Sequence, residues 1–373
     1  MKRIFAFIFI IFLLAIHVNA ENITDQMLFS IDDELSSFED SLPNEVKNAL
    51  PRELFDNGFS ISGAASLTQE DFMDIIINLL LMNLPSILKS FSCILALIIV
   101  SSILNLMRDG FDNLSLNKAF ELCSTLCISI FVFTLVSNIV NSTVDFISTL
   151  CAVMSTLTPL MSGIYIMSGS ISTAAVSSSG TMLFITLLQN FVVIAIVPII
   201  KASMCFSIIK SINTGIDISG FSKILKNTFT TVLIFTMTIF SFVMSYQSVL
   251  AQGNDSLSLR TAKFAAGSFI PIVGSSVSEA LKTVSSSLSV IKGSVGVIGI
   301  IVIAIITLPS LISLFLNKLS FDICSGISKS LNCSNEASIT EEASSICSFL
   351  LSIVSITCIL FIFVVTIFLK SSV

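Results

Sequence analysis

The chain has 373 residues, 54% of them hydrophobic and 11% charged; a soluble domain carries roughly 25% charge, so a water-facing globule is excluded. Its 24 acids against 18 bases give a net charge of −6, which argues against nucleic acid as the main partner. One histidine, His17, and no tryptophan leave histidine-based catalysis almost no means of operating.

In chain order, Lys2 and Arg3, the apolar run 4–16 and the small-residue end Val18-Asn19-Ala20 have the layout of a secretory signal peptide over residues 1–20. The alternative is an uncleaved first membrane helix. Cleavage after Ala20 would remove the imidazole that His-containing zinc sites and Ser-His-Asp triads require. Residues 21–84 read as an acidic exported helical segment. From Glu21 to Asp74 there are 13 acids against Lys47 and Arg52. Ile31, Leu35, Phe38 and Leu42 fall at helical spacing, and Pro43, Pro51 and Gly58 punctuate the stretch. Thr68 and Asp71 form a capping pattern opening a helix with Phe72, Ile75, Ile76 and Leu79 on one face, expected to lie on the membrane surface.

Residues 85–373 form a multi-pass membrane domain. A crossing needs ~20 mostly apolar residues, and Ser86–Met107, Ala119–Val140, Thr181–Ile200, Thr228–Leu250, Val295–Leu316 and Ala343–Leu369 qualify. Two stretches are interrupted: 147–167 holds Pro159 and Gly163, and 264–291 holds Gly267, Pro271 and Gly274. With both treated as broken or re-entrant, Lys201, Lys210, Lys223 and Lys226 join Arg108, Lys118, Lys318 and Lys329 on the cytoplasmic side, as the positive-inside rule prefers. Arg260, Lys263, Lys282 and Lys292 then lie outside, against the rule. The expected fold is therefore all-α: a polytopic bundle of about six crossings plus two Pro/Gly-broken segments, with a short helical N-terminal ectodomain. Irregular backbone at membrane depth survives only where protein or water shelters it. Pro159, Gly163, Gly180, Gly267, Pro271 and Gly274 are thus candidate broken-helix or pathway residues.

The stretch Thr158-Pro159-Leu160-Met161-Ser162-Gly163 is similar to Ile270-Pro271-Ile272-Val273-Gly274, and Gly180 and Pro198 follow the first much as Gly293 and Pro309 follow the second. This hints at an internal repeat, 145–217 and 255–326, of the kind transport folds use; coincidence explains it equally well. Gln189 and Asn190 sit halfway along a span, while Asn138, Asn141 and Asp145 end another. Intramembrane polar groups mark pathways or make ordinary interhelix hydrogen bonds. Gly293, Gly296 and Gly299 recur every third residue, a candidate helix-packing seam.

Enzymatic chemistry finds no foothold. Ser86-x-x-Lys89, Ser207-x-x-Lys210 and Ser289-x-x-Lys292 match an acyl-enzyme pattern, but 60 serines and 14 lysines supply roughly two such matches by chance. Cys123 and Cys127 share one helix face, yet two soft ligands make no metal site, and packing is the simpler reading. No phosphate-cradling loop is present. No catalytic residue, cofactor or metal is expected.

The run Thr261-Ala262-Lys263-Phe264-Ala265-Ala266-Gly267-Ser268-Phe269-Ile270-Pro271-Ile272-Val273-Gly274, followed by Ser278-Glu279-Ala280-Leu281-Lys282, resembles the signature stretch of the stage III sporulation protein AE family. A second stretch, from Ala175 to Thr181 with Leu183-Phe184, resembles another. The resemblance implies a polytopic protein of the outer forespore membrane, made in the mother cell, with its N-terminal segment in the intermembrane space. It also implies partners: a secretion-type ATPase, ring-forming and membrane subunits of the same stage, and a forespore-side protein, besides membrane lipids. The expected function is a core membrane subunit of the channel-like complex joining mother cell and forespore, with a share in the passage itself. The alternatives are a scaffold anchoring ring and ATPase subunits, and an independent secondary transporter.

Overall fold

A computed structural model describes residues 69–108, 114–212, 219–269 and 274–370, and these are helical apart from two tight turns, with no strand among the described residues. The elements are α1 (Gln69–Arg108), α2 (Leu114–Met167), α3 (Ile171–Phe191), α4 (Val197–Ile212), α5 (Ser219–Phe269), α6 (Gly274–Ser330) and α7 (Ser334–Lys370). A π-helical turn, Val192–Ile196, joins α3 to α4 without a loop. Its cause is Pro198, which has no N–H to offer the preceding turn and whose ring crowds that turn's carbonyls. One wider turn absorbs the misfit without ending the helix.

Six stretches among the described residues are long and apolar enough to cross a membrane: Asn83–Leu106, Ala119–Met167, Ile171–Ser211, Gly220–Ser258, Gly299–Ser330 and Ser334–Leu369. The architecture is an all-α multi-pass bundle, as its apolar runs demand. At its centre stands the α6–α7 hairpin. Ile301 to Leu308 are buried without interruption, and α7 buries Ile346, Leu350, Ile353, Val354, Phe361 and Phe368. A helix apolar on every side belongs inside. Around this hairpin pack α1 and α2 on one flank and α4 and α5 on the other, with α3 between α2 and α5.

Both tight turns have the same construction. After α2, Gly169 adopts φ 80°, the Ser170 N–H donates to the Tyr165 carbonyl at 2.9 Å, and the Gly169 N–H donates to Ile166 at 3.0 Å. After α6, Asn332 adopts φ 62°, with Cys333 donating to Ser328 at 2.9 Å and Asn332 to Lys329 at 3.2 Å. These are Schellman ends, in which one left-handed residue satisfies two orphan carbonyls. Glycine and asparagine are the residues that tolerate the conformation.

The structure departs from the sequence expectation in two places. The segment 147–167 is not a separate broken unit: α2 runs from Leu114 through Pro159 and Gly163 to Met167. Back-bonds from Ser155 to Cys151 (2.9 Å), Thr156 to Val153 (2.9 Å) and Thr158 to Met154 (2.6 Å) brace the turns before the proline, and buried Leu157, Met161 and Ile164 fix that stretch in the core. Residues 264–291 divide, as a broken segment would, between the end of α5 and the start of α6, with Pro271 in the junction outside the described residues. Finally, the helix expected on the membrane surface is continuous with the first span, α1 passing through Pro85 to Arg108. The signal peptide, and the acidic segment as far as residue 68, lie outside the described residues.

Candidate functional site: a polar groove and a charged end

Three polar stripes converge between α1, α2 and α6. Asn83, Ser86 and Ser90 recur at helical spacing on α1; Asn138, Ser142, Asp145 and Thr149 on α2; Ser310, Ser313 and Asn317 on α6. Side chains three and four residues apart share a face, so each helix turns one polar stripe to the same groove, of about 670 Å³. Pro309 lies beside it. Some of its groups are satisfied locally: Thr143 Oγ1 donates to the Ile139 carbonyl at 2.8 Å, and Asn317 Nδ2 to the Ser313 carbonyl at 2.8 Å. Among the described residues, the side chains of Asn138, Ser142 and Asp145 have no hydrogen-bond partner, and all three are exposed.

Depth follows from helix rise. Ser101 of α1 and Ser124 of α2 both donate to Glu336 Oε1, at 2.7 and 3.1 Å, so they mark one level. At 1.5 Å per residue, Ser90 and Ser142 lie about 16 and 27 Å from that level along their helices. Counted from that level, a ~30 Å hydrocarbon core takes in Ser90, Asn138 and Ser142, while Asp145, about 32 Å away by the same rise, stands at its far edge.

The level of Glu336 is itself a polar hub, built by the first turns of α7. Glu336, 2% exposed, also accepts from Thr125 Oγ1 at 3.4 Å. Asn335 Nδ2 donates to Glu121 at 2.8 Å, and Ser211 Oγ donates to the Asn335 carbonyl at 3.3 Å. Lys226 of α5 forms a buried ion pair with Glu342 at 2.7 Å and donates to Ser345 Oγ at 2.7 Å; Ser222 donates to the same carboxylate at 2.8 Å. Asp322 of α6 accepts from Ser344 Oγ and pairs with Lys318 at 2.6 Å. Lys329 and Glu341 pair in solvent at 2.9 Å, where such a contact contributes little. One end of α7 thus ties α1, α2, α4, α5 and α6 together. Burial and the Glu336 carboxylate push the Cys333 thiol up from its usual range, so at the hub it stays protonated and inert.

Beside the hub, between α4, α5 and α7, opens a cavity of about 570 Å³. Lys210, Lys223 and Lys226 line its mouth with Glu341 and Glu342, and Ser345, Ser348 and Ser352 descend α7 at helical spacing past Phe349.

The opposite end holds one buried acid. Asp255 of α5, 6% exposed, accepts from the backbone N–H groups of Ser172 (3.0 Å) and Thr173 (2.8 Å) and from Thr173 Oγ1 (2.7 Å). It caps α3 from another helix, satisfying orphan donors in its first turn.

The residues singled out in the sequence scatter around these features. Gln189 and Asn190 are exposed on the outer face of α3, away from the groove. Gly180 is buried, with Met244 of α5 filling the space a side chain would need. Gly163 has open space beside it. Gly296 lies under Leu369, and Gly299 presses against Leu157 and Val365, a Cβ there meeting Leu157 at 2.8 Å. Gly293 lies within α6, Gly267 in the last turn of α5, and Gly274 opens α6. Exposed Cys123 and Cys127 face outward. Asn138 and Asp145, noted as polar ends of a span, do line the groove. Its α1 and α6 stripes were missed, although their three-and-four spacing was available.

With the geometry in hand, comparison with known proteins is decisive. The family model of stage III sporulation protein AE matches residues 52–372. The chain belongs to that family. Stage III sporulation protein AE of Bacillus subtilis (strain 168) is 25% identical over 299 residues, covering 78% of this chain and 74% of the relative. No solved structure matches. The match spans α1 to α7, so groove, hub and cavity all belong to the family region. Membership implies a role in sporulation, as a multi-pass membrane protein working with other stage III sporulation proteins.

Proposed function

We propose that this stage III sporulation protein AE homologue is a core integral-membrane subunit of the channel-like complex between mother cell and forespore, and that the groove between α1, α2 and α6 forms part of the wall of its passage. It resides in the outer forespore membrane, with its N-terminal segment in the intermembrane space, where it meets ring-forming and forespore-side partners; a secretion-type ATPase works from the mother-cell side. Its task is conduction and assembly, not catalysis.

One observation carries this reading: Asn138 and Ser142 stand exposed and unpartnered at membrane depth, with Asp145 exposed and unpartnered at its far edge. Lipid tails offer such groups nothing, and charged or amide side chains at that depth face water or protein. An anchor needs only apolar spans and has no use for three converging polar stripes.

Cysteine accessibility tests it. In forespore membranes, with exposed Cys93, Cys123, Cys127 and Cys205 replaced by alanine, Ser142→Cys and Ser313→Cys should react with an aqueous maleimide about tenfold faster than lipid-facing Ile130→Cys, because only an ionised thiol in water reacts well. Protection of both groove positions in an assembled, sporulation-competent complex would leave the scaffold reading standing.

A further inference from the structure

We propose that the groove between α1, α2 and α6 admits cationic solutes and disfavours anions, with Asp145 as the residue that sets the sign. This selectivity rests on the groove being a wetted wall of the passage, and it names the class of solute that such a wall passes.

The charge count points one way. Among the described residues lining the groove, Asp145 is the only one with a formal charge; the others are amides, hydroxyls and apolar groups, with no Lys or Arg. Asp145 is exposed and has no partner among the described residues, so its charge acts on whatever enters. Neighbouring bases do not cancel it. Lys318, next to the lining residue Asn317, is paired with Asp322 at 2.6 Å. Lys89 of α1 is not part of the lining. Counted from the shared level of Ser101 and Ser124, it stands about 14 Å from Asp145 along the bundle, beyond the ~8 Å Debye length of physiological salt.

Confinement amplifies that charge. Leu135, Ile139, Phe146, Ile306 and Leu314 form the apolar part of the lining. Low-dielectric walls of this kind focus the field of a fixed charge into the water between them. Position matters as well. Asp145 stands at the end of the groove farthest from Glu336, so a solute using that mouth passes the carboxylate. Deeper in, Asn138 and Ser142 are exposed and unpartnered. Their oxygen atoms can replace part of a cation's hydration shell.

Charged thiol reagents read the sign directly. The background is the protein in forespore membranes with exposed Cys93, Cys123, Cys127 and Cys205 replaced by alanine. Ser142→Cys then places a thiol one helical turn from Asp145, about 6 Å between β-carbons. Even at the dielectric constant of water, a charge at that distance favours a cation over an anion about tenfold. Each rate is divided by that of the same reagent with a small thiol in solution. At low salt, a trimethylammonium methanethiosulfonate should then react about tenfold faster than its sulfonate counterpart. Asp145→Asn should bring the two rates within about twofold of each other. Asp145→Glu should keep the preference, and Glu341→Gln, outside the groove, should leave it unchanged. Equal rates for the two charged reagents, or a preference that survives Asp145→Asn, would overturn the selectivity while an uncharged maleimide still reacts. Protection of Ser142→Cys and Ser313→Cys from the uncharged maleimide would overturn the passage itself, and the selectivity with it.

Discussion

Asp255 shows how much a single side chain can organise here. The first turn of α3 has no strong cap of its own, and the missing acceptor arrives from α5, 6% exposed and holding three donors. A buried carboxylate that accepts hydrogen bonds from backbone N–H groups at a helix N-terminus also interacts favourably with the helix dipole. Asp255→Asn keeps one acceptor but loses the charge and should cost about 1 kcal/mol, while Asp255→Ala orphans the donors and should cost about 2–3 kcal/mol. Thermal unfolding of the detergent-solubilised protein measures both, and equal melting temperatures for wild type and the alanine variant would remove the cap from the account. This contact could not be read in the sequence, because donor and acceptor stand 82 and 83 residues apart. Gln189 and Asn190 present a related difficulty. In a helix apolar on all sides, a polar pair announces itself but not the direction it faces, and here it faces outward.

At the scale of the helix, proline and glycine carry less fixed meaning than the chain pattern promises. Pro159 and Pro198 each remove an N–H, yet one leaves α2 continuous and the other widens into a π turn. Local propensity sets the difficulty, and the packing around it selects the solution. The six apolar runs were legible because a bilayer imposes a minimum length on every crossing. Whether Ala119–Val140 and 147–167 were one helix or two was not, since only tertiary packing joins them. The glycines divide the same way. Gly163 has open space where a methyl group would go, so Gly163→Ala should stabilise α2 by up to ~1 kcal/mol through helix propensity alone. Gly296 is roofed by the branched end of Leu369, and Gly296→Ala should destabilise by about 1–3 kcal/mol through overpacking. Opposite signs in unfolding experiments are the expected result. A stabilised Gly163→Ala protein that fails to support sporulation would instead give Gly163 a hinge role.

For the whole molecule, the six candidate crossings among the described residues decide the arrangement of charge. Lys210, Lys226, Lys318 and Lys329 belong to the end built around Glu336, whereas the Ser168–Ser170 turn and Asp255 belong to the other. The positive-inside rule assigns the lysine-rich end to the cytoplasm. Arg260, Lys263, Lys282 and Lys292 resist that assignment; they lie outside the crossings Gly220–Ser258 and Gly299–Ser330, on the helical continuations of α5 and α6. Orientation is therefore a contest between two basic sets, and the short loops that insert first, after α1 and α4, favour the first set. Reporter fusions resolve it. Alkaline phosphatase joined after Gly169 should be active and after Asn332 inactive, with a cytoplasm-dependent fluorescent protein giving the reverse. A fusion at Lys370 should behave like the one at Gly169, because one further crossing separates it from Asn332. Matching activity at Gly169 and Asn332 would mean that the two Schellman turns share a side. The crossing number would then be wrong, and the depth assigned to the groove, which is counted from the Glu336 level through these same helices, would go with it.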